Sequence, residues 1–416
     1  MDKHATLPVT GSKKPRFFYG YIVAAACFII QGMGLGASQT YGVFFKPLLT
    51  EFGWSRTTIS GASSVTFIIS GLTSIIVGSL NDKFGPRALM AVTGFLMGLG
   101  YLLMSQVNAV WQLYLFYGLV FGLGLSSIDV IPLSTMARWF VRRRGTMTGI
   151  VKVGTGAGQL VFPLLASGLI VTCGWRNSYL AIGTIILIGI VLAAQFLRRD
   201  PGQMHLMPDG DRKQTEVTNN REEGLFLSEA IHTRQFWMLC ATNLTIFFCS
   251  LTVLIHIVPH TNDIGISATK SAGVLSTIGG VSMLGRLVMG NAIDRIGSRR
   301  AMILCFIIMA AGLLWLQFAR ELWMLYLFAV VHGFAHGGFY TIISPLTAEL
   351  FGMSSHGVIF GIVIFCGTIG GAAGPLLAGY IFDLTYSYRL DFWILTAFGF
   401  AGLVLISLIK PVRKGV

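Results

Sequence analysis

Along the chain, apolar runs of 20 residues or more alternate with short polar joints. They fall at 17–44, 57–80, 87–106, 110–137, 145–172, 177–197, 235–260, 270–293, 300–319, 322–348, 357–384 and 389–409. Each is long enough for a helix to cross a hydrocarbon layer of about 30 Å. Barrel strands would run about 10 residues and alternate in polarity. The pattern therefore predicts an all-α integral membrane protein with twelve transmembrane helices. Composition points the same way: of 416 residues, 54% are hydrophobic and only 11% charged, against about 25% charged in soluble domains. The first 16 residues are polar and basic, and the apolar run after them is too long for a signal sequence, so no cleavable leader is expected.

Net charge is +13, which in a soluble protein would suggest nucleic acid. Here its distribution reports topology instead. With the N-terminus cytoplasmic, 22 of the 30 Lys and Arg fall in inside segments; outside loops hold Lys46, Arg56, Arg176, Lys270, Arg320 and Arg389. This bias is the positive-inside rule, and it puts both termini in the cytoplasm. No nucleic-acid partner is expected. The six cysteines show no paired spacing, so neither a disulfide framework nor a zinc site is expected.

Shifted by 212 residues, the chain matches itself. The segment 78 GSLNDKFGPR 87 falls on 290 GNAIDRIGSR 299, 145 GTMTGIV 151 on 357 GVIFGIV 363, and Trp111 and Tyr114 on Trp323 and Tyr326. Two six-helix halves of common ancestry follow: residues 1–197, a polar cytoplasmic linker at 198–234 with room for a short surface helix near 225–232, and residues 235–416. Two parallel halves imply alternating access, with substrate near the midplane.

Those two copies resemble the loop signature G-x-L-x-D-r-x-G-r-r of the major facilitator superfamily. YGYIVAAACFII, YGVFFKPLLTEFGWSR, WQLYLFYGLVFGLG, ARWFVRRRG and GRLVMGNAIDRIG further resemble its monocarboxylate transporter branch and bacterial relatives near the oxalate/formate exchangers. The resemblance implies a gate built on Asp82, Arg87, Asp294 and Arg299, in which the aspartates meet helix N-termini and arginines. It also implies that Arg286, in helix 8, grips a substrate carboxylate. Gln39 stands where animal relatives carry a lysine, and Ser282 where they carry an aspartate; both groups implicated in their proton coupling are missing here.

Two cations lie inside the membrane, Lys152 and Arg286. At 1.5 Å rise per residue, Arg286 sits roughly 12 Å from the cytoplasmic end, Lys152 roughly 12 Å and Asp129 roughly 13 Å. Charges at that depth face an interior cavity and pair with one another or with a ligand. A planar guanidinium suits a carboxylate. Asp129 and Lys152 can pair, either as a fixed structural link or in proton movement; Lys152 can alternatively clamp a second carboxylate. His332, His336 and Tyr340 form an i, i+4 stripe, and His256 and His260 repeat the spacing. No acidic or thiol group completes a metal site, so metal is not expected. His336, Tyr340 and His256 are cavity-lining candidates, with packing as the alternative, and proton sensing stays open for the histidines. Phe365 could wall an apolar pocket. Glycine strings such as 32 GMGLG 36 lie inside membrane helices rather than after strands, so no cofactor is expected.

The sequence thus predicts a transporter rather than an enzyme, a monomer in the inner membrane moving a small carboxylate. A monocarboxylate such as lactate or pyruvate with proton symport leads; exchange of the oxalate/formate or dicarboxylate type is the alternative.

Overall fold

The computed structural model describes residues 18–410 except 55, 205, 211–223 and 267. The N-terminal basic segment and the middle of the expected linker therefore lie outside the described residues. Eleven helices among the described residues are long and apolar enough to cross a membrane. One of them, Arg144–Gln195, runs 52 residues and is broken at Gly174, whose φ of 79° and ψ of 162° leave the helical region. Only a residue without Cβ adopts that φ at low cost. The break turns one apolar run into two crossings, which makes twelve.

We number them α1 (Gly20–Phe52), α2 (Arg56–Phe84), α3 (Pro86–Met104), α4 (Val110–Trp139), α5 (144–173), α6 (175–195), α7 (Arg234–Asp263), α8 (Ala268–Ile296), α9 (Ser298–Leu316), α10 (Leu322–Phe351), α11 (His356–Thr385) and α12 (Arg389–Leu408). In the linker, the helix expected near 225–232 is one turn, Leu227–Ala230, started by Glu229 Oε2 accepting from Phe226 N at 2.7 Å.

The repeat is visible in the backbone. The turns after α2 and α8 are both made by glycines with φ of 84°, Gly85 and Gly297, and these are 212 positions apart. Within each half the same glycine-against-tyrosine contact recurs, Gly61 under the Tyr114 hydroxyl and Gly273 under that of Tyr326. Small residues let the helices approach: Gly32 and Gly36 of α1 meet Gly154 and Gly158 of α5. One irregularity was not foreseen. Residues Tyr114–Phe121 of α4 form a π-helix, and Thr66 Oγ1 donates to the Tyr117 carbonyl at 3.0 Å, satisfying an acceptor at this irregular turn.

The two halves meet along α2–α11 and α5–α8. Gly78 packs on Gly357 and Gly145 on Gly290 at the face that carries both ends of the described chain; Gly71 meets Phe365 and Gly156 meets Met283 near mid-depth. We call the first of these the gate face. Gly285 and Gly290 are packed against Phe334 and Gly145, whereas a Cβ at Gly279 or Gly280, further from the gate on α8, would meet nothing within 4 Å.

Candidate functional site

At mid-depth the intramembrane charges converge, as helical rise predicted. α4 brings Asp129, α5 brings Lys152 and α8 brings Arg286. Lys152 Nζ pairs with Asp129 Oδ1. Gln31 of α1 completes the cluster: its Nε2 donates to Asp129 Oδ1 at 2.9 Å and to the Ile128 carbonyl at 2.7 Å. Its Oε1 accepts from Thr155 Oγ1 at 2.7 Å and from Lys152 Nζ at 3.4 Å. An ammonium buried to 3% exposure is tolerable only with such partners. Asp129 keeps 25% of its side-chain surface, so the pair has one wet end.

Arg286 is also 3% exposed, yet among the described residues no carboxylate pairs with it. Its Nη1 donates to the Lys152 carbonyl at 3.1 Å, and its Nε has no partner. The cluster carries two cations and one anion, leaving one positive charge uncompensated. A buried guanidinium with a free donor has the chemistry to receive an anionic group. Gly156 makes room for it: a Cβ there would stand 2.9 Å from Arg286 Nη1.

The other candidates divide. Tyr340 belongs to the site: Lys152 Nζ lies 5.9 Å above its ring, and Phe247 and His336 flank it edge-on at 5.1 and 4.9 Å. His336 is buried beside it with Nδ1 unpartnered. Phe365 lies between the halves against Gly71. Ser282, one turn from Arg286, turns its hydroxyl back to the Gly279 carbonyl. Gln39 is exposed; the α1 amide in the cluster is Gln31, two turns earlier. His256 is held away from the charges, between Tyr388 Oη at 3.1 Å and the Pro375 carbonyl at 3.0 Å. A cavity of about 240 Å³ opens on the far face, lined by His260, Arg320, Tyr388 and Arg389 among others; the mid-depth charges do not line it. Among the described residues no group of three His, Cys, Asp or Glu is arranged for a metal.

Gln31 and Thr155 escaped the sequence reading. The signal was present: a lone amide inside the run 17–44 needs a partner wherever it is buried.

The residues expected at a gate divide into aspartates and arginines. Asp294 accepts from the backbone N–H of Gly145 at 2.6 Å and of Thr146 at 2.8 Å. Asp82 accepts from those of Gly357 and Val358, both at 3.3 Å. Neither α5 nor α11 has a side-chain cap of its own; the aspartate of the opposite half supplies it. The arginines differ. Arg87 reaches Gln195 at 2.8 Å and Arg299 the Ser407 carbonyl at 2.5 Å, each tying helix ends within its own half. The long side chains reach the nearby C-terminal ends of α6 and α12, where a cation is favoured. The arginine that meets Asp82 is Arg138 instead, pairing with it at 2.8 Å and reaching the Met353 carbonyl at 3.4 Å.

Comparison with known proteins shows the family and the fold. The family model described as Major Facilitator Superfamily matches residues 24–291 and 272–416. Monocarboxylate transporter 7 of Homo sapiens is 24% identical over 455 residues, covering 95% of this chain and 87% of that protein. The oxalate:formate antiporter of Oxalobacter formigenes is 27% identical over 431 residues, covering 100% and 97%. Among solved structures, the E. coli fucose:proton symporter FucP superimposes with a TM-score of 0.72 at 14% identity, over 95% of this chain and 100% of that one. The relatives are transporters, not enzymes. With twelve crossings, a duplicated aspartate cap and a family model spanning nearly its whole length, the chain is a multi-pass membrane protein that belongs to the Major Facilitator Superfamily, in company with the monocarboxylate transporters and the oxalate:formate antiporter.

Proposed function

We propose that this protein is a secondary transporter of small organic monocarboxylates, of the lactate or pyruvate kind, working by alternating access with proton symport. Arg286 binds the carboxylate. The observation that carries this is the single uncompensated charge. Lys152 is already neutralised by Asp129, so one anionic group, not two, balances the site. The dicarboxylate clamp by Arg286 and Lys152 loses its second cation for the same reason. A carboxylate seated on Arg286 would take up its free donor at the seam between α5 and α8, around which the halves move past one another. The names of the human and Oxalobacter relatives support an organic anion as cargo. The 1–197 and 235–416 halves act as the two rocking units, the protein works as a monomer, and the gate face is cytoplasmic in an inner membrane.

Anion exchange is the second reading. It is favoured by the antiporter relative, which this chain matches along its whole length. The test of carboxylate transport is uptake into liposomes holding purified protein, with a panel of radiolabelled lactate, pyruvate, formate and oxalate. Wild type is expected to show counterflow of at least one of them, and Arg286→Gln none. Wild-type rate and affinity in Arg286→Gln would sink the proposal.

A further inference from the structure

On α10, Phe328, His332, His336 and Tyr340 follow at four-residue spacing and share one face. Their rings form a ladder: Phe328 to His332 at 5.2 Å, His332 to His336 at 6.4 Å and His336 to Tyr340 at 4.9 Å. The last rung stands beneath Lys152. Neither ring nitrogen of His332 has a partner, nor has Nδ1 of His336, although both residues are buried. Buried polar atoms in folded proteins are nearly always paired, and leaving one unpaired is costly. Three orphaned nitrogens on one stripe, beside an unpaired guanidinium, call for a role other than packing.

We infer that His336, with His332 one turn behind it, takes up the proton that accompanies the anion held by Arg286. The inference rests on the carboxylate reading above. The groups around His336 are few. From α8, Arg286 is near enough to act on it electrostatically. From α10 itself come His332 and Tyr340; across Tyr340, Lys152 of α5 and Asp129 of α4. α9 presents Cys305 at Gly338 and Phe306 at Phe339, and α7 presents Phe247 to Tyr340. No carboxylate stands beside the imidazole among the described residues. A carboxylate seated on Arg286 brings the missing negative charge to the ring, and a proton follows that charge. Each ligand then raises the affinity of the other by the same factor.

The ledger balances. One anion and one proton enter from the same side; an N–H bond forms on the imidazole and breaks again when both are released opposite. Empty, the site holds Asp129, Lys152 and Arg286 with a net +1. Loaded with anion and proton it again holds +1. The cycle moves no net charge, so a pH gradient drives it and membrane potential does not. Without the proton the loaded site would be neutral and transport electrogenic.

The test uses the same liposomes with an inside-alkaline gradient of one pH unit and a cargo that wild type exchanges. One proton per anion accumulates that anion about tenfold per pH unit at equilibrium, in wild type. In His336→Gln the accumulation is expected to fall to unity, while gradient-free counterflow persists at a reduced rate. His332→Gln is expected to slow the approach to accumulation without removing it. Melting temperatures of both variants report folding. Tenfold accumulation by His336→Gln overturns the inference. So does its loss of counterflow along with accumulation, which would make His336 part of the anion site or the packing. Counterflow without accumulation in wild type also overturns it, yet leaves carboxylate transport standing. No carboxylate movement at all by wild type would instead remove the underlying reading.

Discussion

Arg286 Nη1 donates to the backbone carbonyl of Lys152 at 3.1 Å, so the side chain proposed to bind substrate also ties α8 of one half to α5 of the other. An arriving carboxylate competes for the same guanidinium. Arg286→Lys keeps the charge but loses the planar fork. With a charge-assisted hydrogen bond contributing about 1.5–3 kcal/mol, the concentration for half-maximal counterflow is expected to rise roughly tenfold to a hundredfold. An unchanged concentration dependence would refute bidentate binding.

The Lys152–Asp129 pair predicts a thermodynamic cycle. Asp129→Asn leaves Lys152 buried without its counter-charge, and breaking a buried pair this way costs about 3–5 kcal/mol. The melting temperature in detergent should fall clearly. Adding Lys152→Gln should recover most of the loss, because two neutral amides can still bond with Gln31. Additive destabilisation in the double variant would show that the two residues do not act as a pair.

Each gate aspartate caps a helix of the other half. Removing a cap of this kind costs about 1 kcal/mol, so Asp82→Ala or Asp294→Ala should each shift the balance toward an open gate severalfold. Ser74, buried where α2 meets α11 with its hydroxyl 3.2 Å from the Gly361 carbonyl, is a suitable reporter. Maleimide labelling of Ser74→Cys, in a background lacking the native cysteines, should quicken in both gate variants and most in their combination. Labelling at the wild-type rate would rule the caps out as latches.

On the far face, Glu51 accepts from Arg176 at 2.8 Å and from Trp175 Nε1 at 2.5 Å. These bonds, first that from Arg176 and then that from Trp175, hold its carboxyl below the ordinary glutamate value of 4.5. A lowered pKa means that the link is present at neutral pH and lost as pH falls through the depressed value. Glu51→Gln should therefore abolish a change in Trp175 fluorescence that wild type shows only below pH 4.5. The same acid-dependent change in both proteins would contradict the assignment.

Much of this was legible in the chain, and the remainder has physical causes. Asp129 and Lys152 could be matched because an α-helix advances by a fixed rise, so equal distances from the loops mean equal depth. Asp82 and Asp294 could be found because the repeat marks them twice. Their partners could not, since Gly357 and Gly145 lie in the opposite half and become neighbours only when the halves close. Arg87 and Arg299 were misplaced because a flexible cation takes the nearest carbonyl or amide oxygen, here Ser407 and Gln195, rather than the nearest acid in sequence. Gln31 was overlooked inside a glycine-rich run, although it holds together both members of the ion pair. The joint between the fifth and sixth runs was legible as well: Gly174, where the helix breaks, falls in the interval 173–176 that hydropathy leaves between them.

The crossed caps have a further meaning. Asp82 contacts positions 357 and 358, and Asp294 contacts 145 and 146; these four sites pair off at the repeat interval. Each surface thus meets the copy of its own partner, which is the self-complementary contact of a twofold symmetric dimer. A six-helix ancestor could have closed on a second copy of itself through this same contact before fusion. In the present chain the two surfaces differ, with Arg286 at the repeat position of Ser74, so one symmetric seam holds an asymmetric charge.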